Sequence, residues 1–309
     1  MGRALVTLGL LIFLFVGYQL WGTGIWTARA QTSLKHDFAK AQRSYEDDTV
    51  AAPKTTTTVP NPFTTLPTLG TTTTQVLTKP GPPIPPEGQV EGIIHIPKIG
   101  LNMAFVEGTS RDDLKKGPGH YPDTPMPGTI GNAAIAGHRT TYLHPFYDVD
   151  KLQPGDDIII DTVAGTFTYE MTQQLIVHPT DVSVVANTPD PELTLTSCNP
   201  RYSARQRLVI KAKLLRKLSD KPHKPPTEVN GKKVKPPPPA QLVTGLQGES
   251  NSVAPSVLWG FIVAAVGGLW WWAFRRWRHP YTWLVGVVPF LVVLFPFYVY
   301  LERALPNGY

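Results

Sequence analysis

Cysteine is all but missing: 309 residues hold one, Cys198. That scarcity excludes an internal disulfide framework and any zinc or iron–sulfur centre built on several thiolates. Charge is scarce too, at 17% of residues against about 25% in an ordinary soluble domain. The net charge of +6 is modest and scattered, which argues against a nucleic-acid partner. No dense acidic cluster is visible, so neither metal nor cofactor is expected. Proline runs the other way: 32 residues, about twice ordinary usage, exclude regular helix or sheet from long stretches.

The apolar residues gather at the two ends. Residues 4–21 carry only Thr7 and Gln19 as clearly polar members. As a helix this run spans about 27 Å, close to the bilayer core. Ala28-Arg29-Ala30 resembles a small-x-small cleavage site, so a removed signal peptide is the alternative. Tyr18, Trp21 and Trp26 form an interfacial aromatic belt that favours an anchor. Residues 256–274 and 281–301 are two further apolar runs, joined by Arg275-Arg276-Trp277-Arg278-His279-Pro280. They read as a membrane hairpin whose three arginines hold the joining loop in the cytoplasm, which places everything between the first and second spans outside. Arg29, Lys35, Lys40 and Arg43 pull the first span toward the opposite orientation; the denser hairpin loop outweighs them. The expected localisation is the cell membrane, multi-pass, in contact with the lipid bilayer, with the central domain extracytoplasmic.

Residues 55–74 contain 11 threonines and several prolines and cannot bury a core. The expected layout is an N-terminal anchor (1–26), a Thr/Pro-rich stalk (27–89), a globular domain (90–216), a Lys/Pro-rich linker (217–252), a transmembrane hairpin (253–303) and a tail (304–309). The lysines of the linker either solvate it or draw it to anionic polymer or lipid.

The globular segment shows short apolar runs between turn signals. Gly92-Ile93-Ile94-His95-Ile96-Pro97 opens it, and a small-residue strand follows at residues 132–137. Residues 157–161 and 165–171 flank a hairpin signal at Val163-Ala164-Gly165. Residues 193–196 and 207–212 close it, and a single helical turn is expected at 110–116. The fold class is all-β, a closed barrel that removes exposed edges.

Cys198 follows Leu193-Thr194-Leu195-Thr196-Ser197 and precedes Asn199-Pro200. A thiol at a strand end, entering a loop, has the rigid, one-sided placement a nucleophile needs; a buried hydrophobe is the competing reading. A reactive thiol needs a base or cation beside it. His138 ends the apolar run Ala133-Ala134-Ile135-Ala136-Gly137, a placement that mirrors Cys198, with His120 and His144 as competitors. Arg207 begins the strand leading back from the cysteine loop, where a guanidinium can steady a thiolate or oxyanion. Arg201 and Arg205 are its rivals. Convergence of the three at an open barrel end is expected.

Together these motifs resemble the sortases, the cysteine transpeptidases of Gram-positive surfaces. Thr194-Leu195-Thr196-Ser197-Cys198 is similar to their TLxTC signature, with Ser197 in place of the usual Thr. Ala136-Gly137-His138-Arg139 resembles the segment of their catalytic His, and Arg207 matches their catalytic Arg. Gly119-His120-Tyr121-Pro122 and residues 200–207 are similar to class E sortases of actinobacteria. The resemblance implies a sortase-type barrel that cleaves an LPXTG- or LAXTG-like sorting signal after Thr, forms a thioacyl intermediate on Cys198, and passes the protein to a cell-wall amine. His138 would be the acid/base, Arg207 the oxyanion partner, and Tyr121, Thr196 and Ser197 substrate contacts. The implied partners are sorting-signal-bearing surface proteins and a peptidoglycan-precursor amine. A pilin-polymerising sortase, hinted at by Asn61-Pro62-Phe63, and an inactive membrane-tethered binding domain remain open.

Overall fold

The computed structural model describes residues 9, 11, 13–18, 23–51, 84–216, 218–220, 228, 229, 232, 233, 253–274 and 284–304. Eight strands form the globular part: β1 (Val90–Ile96), β2 (Leu101–Glu107), β3 (Gly119–His120), β4 (Asn132–Ala136), β5 (Asp157–Thr162), β6 (Gly165–Val177), β7 (Glu192–Asn199) and β8 (Gln206–Leu214). They close into a barrel in the order β1-β2-β3-β4-β7-β8-β6-β5, with β5 returning to β1. The anticipated strands are present, and the Val163–Gly165 turn joins β5 to β6 at the pair Thr162↔Gly165. The expected turn at 110–116 is a short helix, α2 (Arg111–Leu114), capped by Ser110. Sequence reasoning missed β2 and β3.

Alternation along the strands sorts side chains onto two faces. Ala133 and Ile135 of β4, Leu193 and Leu195 of β7, and Leu208, Ile210 and Ala212 of β8 enter the main core with Phe105, Ile158, Ile160, Phe167 and Tyr169. Their neighbours Ala134, Ala136, Cys198 and Val209 face outward, into a second cluster covered by Leu114, Tyr121, Val184 and Val185. Cys198 lies in this outer layer.

The first part of the stalk expected over 27–89 is helical. Thr23–Ala51 is one long helix, α1, and it packs on the barrel. Proline and the threonine repeat start only at Pro53 and Thr55, so nothing in α1 breaks a helix. Thr27, Gln31, Leu34 and Phe38 are buried at helical spacing. Leu34 meets Ala104, Val106, Val90 and Ile93. The Gln31 amide accepts from the Ala104 N–H (2.8 Å) and donates to the Ala104 carbonyl (2.8 Å). β2 pairs with β3 only at Val106 and Glu107, and Gln31 takes up the backbone edge that this short pairing leaves open. Residues 52–83, and with them the threonine tract and Asn61-Pro62-Phe63, lie outside the described residues.

Within the expected linker, Glu228–Val229 (β9) pairs with Lys232–Lys233 (β10). Two helices follow, α3 (Val253–Phe274) and α4 (Leu284–Ala304, with Pro289 and Pro296 inside it). Residues 253–273 are long and apolar enough to cross a membrane, whereas 286–301 form a shorter apolar helix. Leu11, Phe15 and Tyr18 pack on the cluster of Val263, Leu294 and Tyr298, and the Tyr298 hydroxyl donates to the Leu11 carbonyl at 2.7 Å. One described helix therefore meets the requirement for a span, against the three expected.

Candidate active site

Cys198 lies one residue from the end of β7, and its direct partner across the antiparallel ladder is Arg207 of β8. On its other side β7 runs parallel to β4, with Ala136 opposite Thr196. Two bonds extend this register: the Gly137 N–H donates to the Thr196 carbonyl (3.0 Å), and the Ser197 hydroxyl donates to the Gly137 carbonyl (2.8 Å). The parallel register carries His138, two residues beyond Ala136, to the same strand end as Cys198, two residues beyond Thr196. Pairing and strand direction thus gather all three residues.

The thiol does not stand open at a barrel mouth, as the strand-end placement suggested. Cys198, His138 and Arg207 are each 0% exposed. β7 is an interior strand of the barrel, and its outer face is roofed by α2, the Tyr121 turn and the 3-10 turn Val182–Val185. Burial pushes the Cys198 thiol up, and the charges of Arg207 and Arg139 ease it partly back. Burial, with Arg111 and Lys115 adding to it, pushes His138 down to about 3, so its ring is neutral at neutral pH. Neither His138 nitrogen has a hydrogen-bond partner among the described residues. The Arg207 Nη1 donates to the carbonyls of Ala204 (3.0 Å) and Gln206 (3.1 Å), while Nε and Nη2 have no partner among the described residues. Buried donors left unbonded cost stability. Their concentration here marks a place built to receive an acceptor.

Tyr121, Thr196 and Ser197 are buried with the cysteine. The Tyr121 hydroxyl bonds the Thr196 hydroxyl at 2.9 Å. Burial pushes Tyr121 up to about 12, with the Thr196 bond and the Arg207 charge opposing it. Ser197 is committed to the Gly137 carbonyl, which makes it a brace between β4 and β7. Arg201 stacks on the Tyr147 ring (4.2 Å) and pairs with Asp148 and Asp150. His144 is exposed against Tyr147.

Two sets of residues carry roles that sequence reasoning did not assign: it left Arg139, Glu91 and Glu107 without one and weighed His120 only as a rival base. Arg139, directly after His138, donates to the carbonyls of Cys198 (3.3 Å) and Tyr147 (2.8 Å) and pairs with Asp150 (3.0 Å). It ties the histidine loop to the cysteine strand. In that loop Tyr142, Leu143 and His144 all have positive φ, 54°, 61° and 38°, a strained run for residues with side chains. Tyr142 lies over the His138 ring at 4.9 Å. The second set is Glu91, Glu107 and His120, fully buried with ligand atoms within 4.8 Å of one another. Glu107 Oε2 and Glu91 Oε2 lie 2.8 and 3.2 Å from the same Nδ1 of His120. Each glutamate is the lone acid in an apolar strand, the one signal that could have revealed them.

A sortase domain model matches residues 94–215. Among curated proteins the chain is 30% identical to Sortase SrtE1 of Streptomyces coelicolor, over 69% of this chain and 56% of that protein. It is 40% identical to Sortase D of Bacillus subtilis, over 38% of this chain and 58% of that protein. The chain thus spans rather more than half the length of either relative. The structure of sortase E from Streptomyces avermitilis is 38% identical, over 42% of this chain and 90% of that one, with a TM-score of 0.38.

Proposed function

We propose, since this chain belongs to the sortase family and is most like class E, that it is a membrane-anchored cysteine transpeptidase with Cys198, His138 and Arg207 as its catalytic residues. Its substrates are surface proteins bearing an LPXTG- or LAXTG-like signal, and its acceptor is a cell-wall amine. The carrying observation is that the partner-less nitrogens of His138 and Arg207 are buried at the strand end where Cys198 faces Arg207.

The resting pair is a neutral thiol and a neutral imidazole. As the sulfur attacks the Thr carbonyl carbon, the thiol proton passes to His138. The carbonyl electron pair moves onto oxygen, where the Nε and Nη2 donors of Arg207 receive it; such stabilisation is worth about 10²–10³ in rate per donor. Collapse breaks the C–N bond, and the leaving amine takes the proton from His138. The thioester holds the acyl group until an amine attacks it, giving its proton to His138, which returns it to the departing sulfur. The roofed site keeps water from the thioester. Residues 4–21 and the 253–303 hairpin tether the barrel outside the membrane, close to both substrates.

The test is a panel of LPXTG and LAXTG peptides with mass spectrometry of the trapped adduct. Wild type is expected to gain the acyl mass on Cys198. Cys198→Ala is expected to lose all cleavage, and Arg207→Ala about 10²–10³ in kcat. Turnover surviving in Cys198→Ala would exclude the covalent route.

A further inference from the structure

The buried cluster of Glu91, Glu107 and His120 lies outside the catalytic trio, yet its bonds run straight to Tyr121. Thr124 has one hydroxyl proton, and it goes to the Tyr121 carbonyl at 2.8 Å. The same oxygen accepts from the Ala134 N–H at 3.1 Å. It has no second proton for His120 Nε2, 3.0 Å away, and Nε2 also faces the Pro125 carbonyl at 3.0 Å. Nε2 must therefore carry the hydrogen. On the other side of the ring, Nδ1 lies 2.8 Å from a Glu107 oxygen. Two lone pairs cannot face each other at that distance, so a proton sits there as well. The proton rests on the ring, because Glu91 and Glu107 outweigh burial and raise His120 while His120 lowers Glu107, so His120 is an imidazolium clamped between Glu107 and the Pro125 carbonyl.

A buried ion pair adds little stability, because desolvation offsets most of the attraction. What this one holds is a shape. His120 ends β3 opposite Glu107; the next residue, Tyr121, bonds Ala134 of β4 through its N–H (2.9 Å). Its hydroxyl reaches Thr196, two residues before Cys198. Tilting the imidazole releases Thr124, and with it the turn that sets the phenol against the Cys198 strand.

We propose that Glu107 and His120 are positioning residues for substrate selection: their ion pair locks the 120–125 turn that presents Tyr121 to the Cys198 site. The proposal rests on the transpeptidase reading above. Glu91 lies beside the pair, its Oε2 3.2 Å from His120 Nδ1. Burial, then the charge of Glu107, pushes its carboxyl well up, though His120 opposes this. The titratable groups facing His120 are Glu91 on β1 and Glu107 on β2; Pro125 and Thr124 offer neutral oxygens. Burial lowers His120, but the two carboxylates outweigh it and bring it to about 9. Substrate recognition is expected to fail as pH rises through that value. Tyr121 itself, at about 12, stays protonated throughout.

The experiment is KM and kcat of the full chain in detergent for an LAXTG peptide from pH 6 to 10, with thermal unfolding on the same samples. Wild type is expected to hold KM level to about pH 8 and then raise it. Glu107→Gln is expected to raise KM roughly 10-fold at pH 7.5, about one tenfold step in recognition, with kcat within about 2-fold, and to move the alkaline rise to lower pH. Glu91→Gln leaves the Glu107 contact in place and is expected to keep KM at pH 7.5 within about 2-fold of wild type, while moving the alkaline rise to lower pH because Glu91 also raises His120. A folded Glu107→Gln with wild-type KM and pH profile overturns the proposal. So does a loss of kcat at unchanged KM, which is what mere loss of folded enzyme produces. Should Glu107→Gln fail to fold, Thr124→Val cuts the link from ring to turn without touching charge. A raised KM there supports the proposal and an unchanged KM overturns it. A wild-type chain that cleaves no peptide overturns the transpeptidase reading and the positioning role with it, an outcome distinct from an active enzyme indifferent to Glu107.

Discussion

Two histidines 18 positions apart are driven in opposite directions by what surrounds them. Burial, with Arg111 and Lys115 adding to it, holds His138 neutral with its ring at about 3. His120 has two carboxylates and stays charged to about 9. The signs of their effects on stability follow. Between about pH 6.5 and 3 the unfolded chain binds a proton at position 138 that the folded chain refuses, so stability falls as pH drops. The slope from this one group reaches about 1.4 kcal/mol per pH unit. His120 behaves oppositely: its contribution is complete below about pH 6.5 and is lost as pH rises through 9. His138→Gln should therefore flatten the fall in Tm between pH 6.5 and 5, above the usual carboxylate range, whatever it does to Tm at pH 7. A variant as acid-sensitive as wild type in that window would show that His138 is charged in the fold. The sequence named His138 and left His120 as its rival, because residue type and strand-end position were visible and the neighbouring charges were not.

At the level of elements, α1 shows how a short β-pairing is completed from elsewhere in the chain. β3 covers only two residues of β2, and the Gln31 amide bonds both backbone groups of Ala104 beyond them, along with the Lys116 carbonyl at 2.9 Å. Gln31→Ala strands a buried N–H and carbonyl, and the expected loss is about 1–3 kcal/mol, read from the denaturant midpoint, with kcat unchanged. A midpoint equal to wild type would mean that the Ala104 edge finds other partners. The long strands other than β2 were legible from their apolar runs and turn residues. α1 was not, because its mostly polar surface gives a weak amphipathic signal and the striking threonine tract just after it drew the boundary too early. β3 was missed because two residues carry no period.

Across the whole molecule, the barrel closes on its own strands, while α3 and α4 pack on each other and on residues 11–18. A chain lacking residues 1–22 and 253–309 should therefore leave the membrane fraction and still cleave free sorting peptide with a KM within about 2-fold of the full chain. Loss of kcat on truncation would instead tie the helices to catalysis. By itself the sequence determined the all-β class and the apolar ends, since these depend on residue type, spacing and local turn chemistry, and it pointed to Cys198, His138 and Arg207 only through their resemblance to a known family. Only the tertiary structure decided that the thiol is roofed rather than exposed, that Arg139 grips the cysteine carbonyl, and that Glu91, Glu107 and His120 meet. Register between strands distant in sequence sets which residues share a face, and burial then sets which protons they keep.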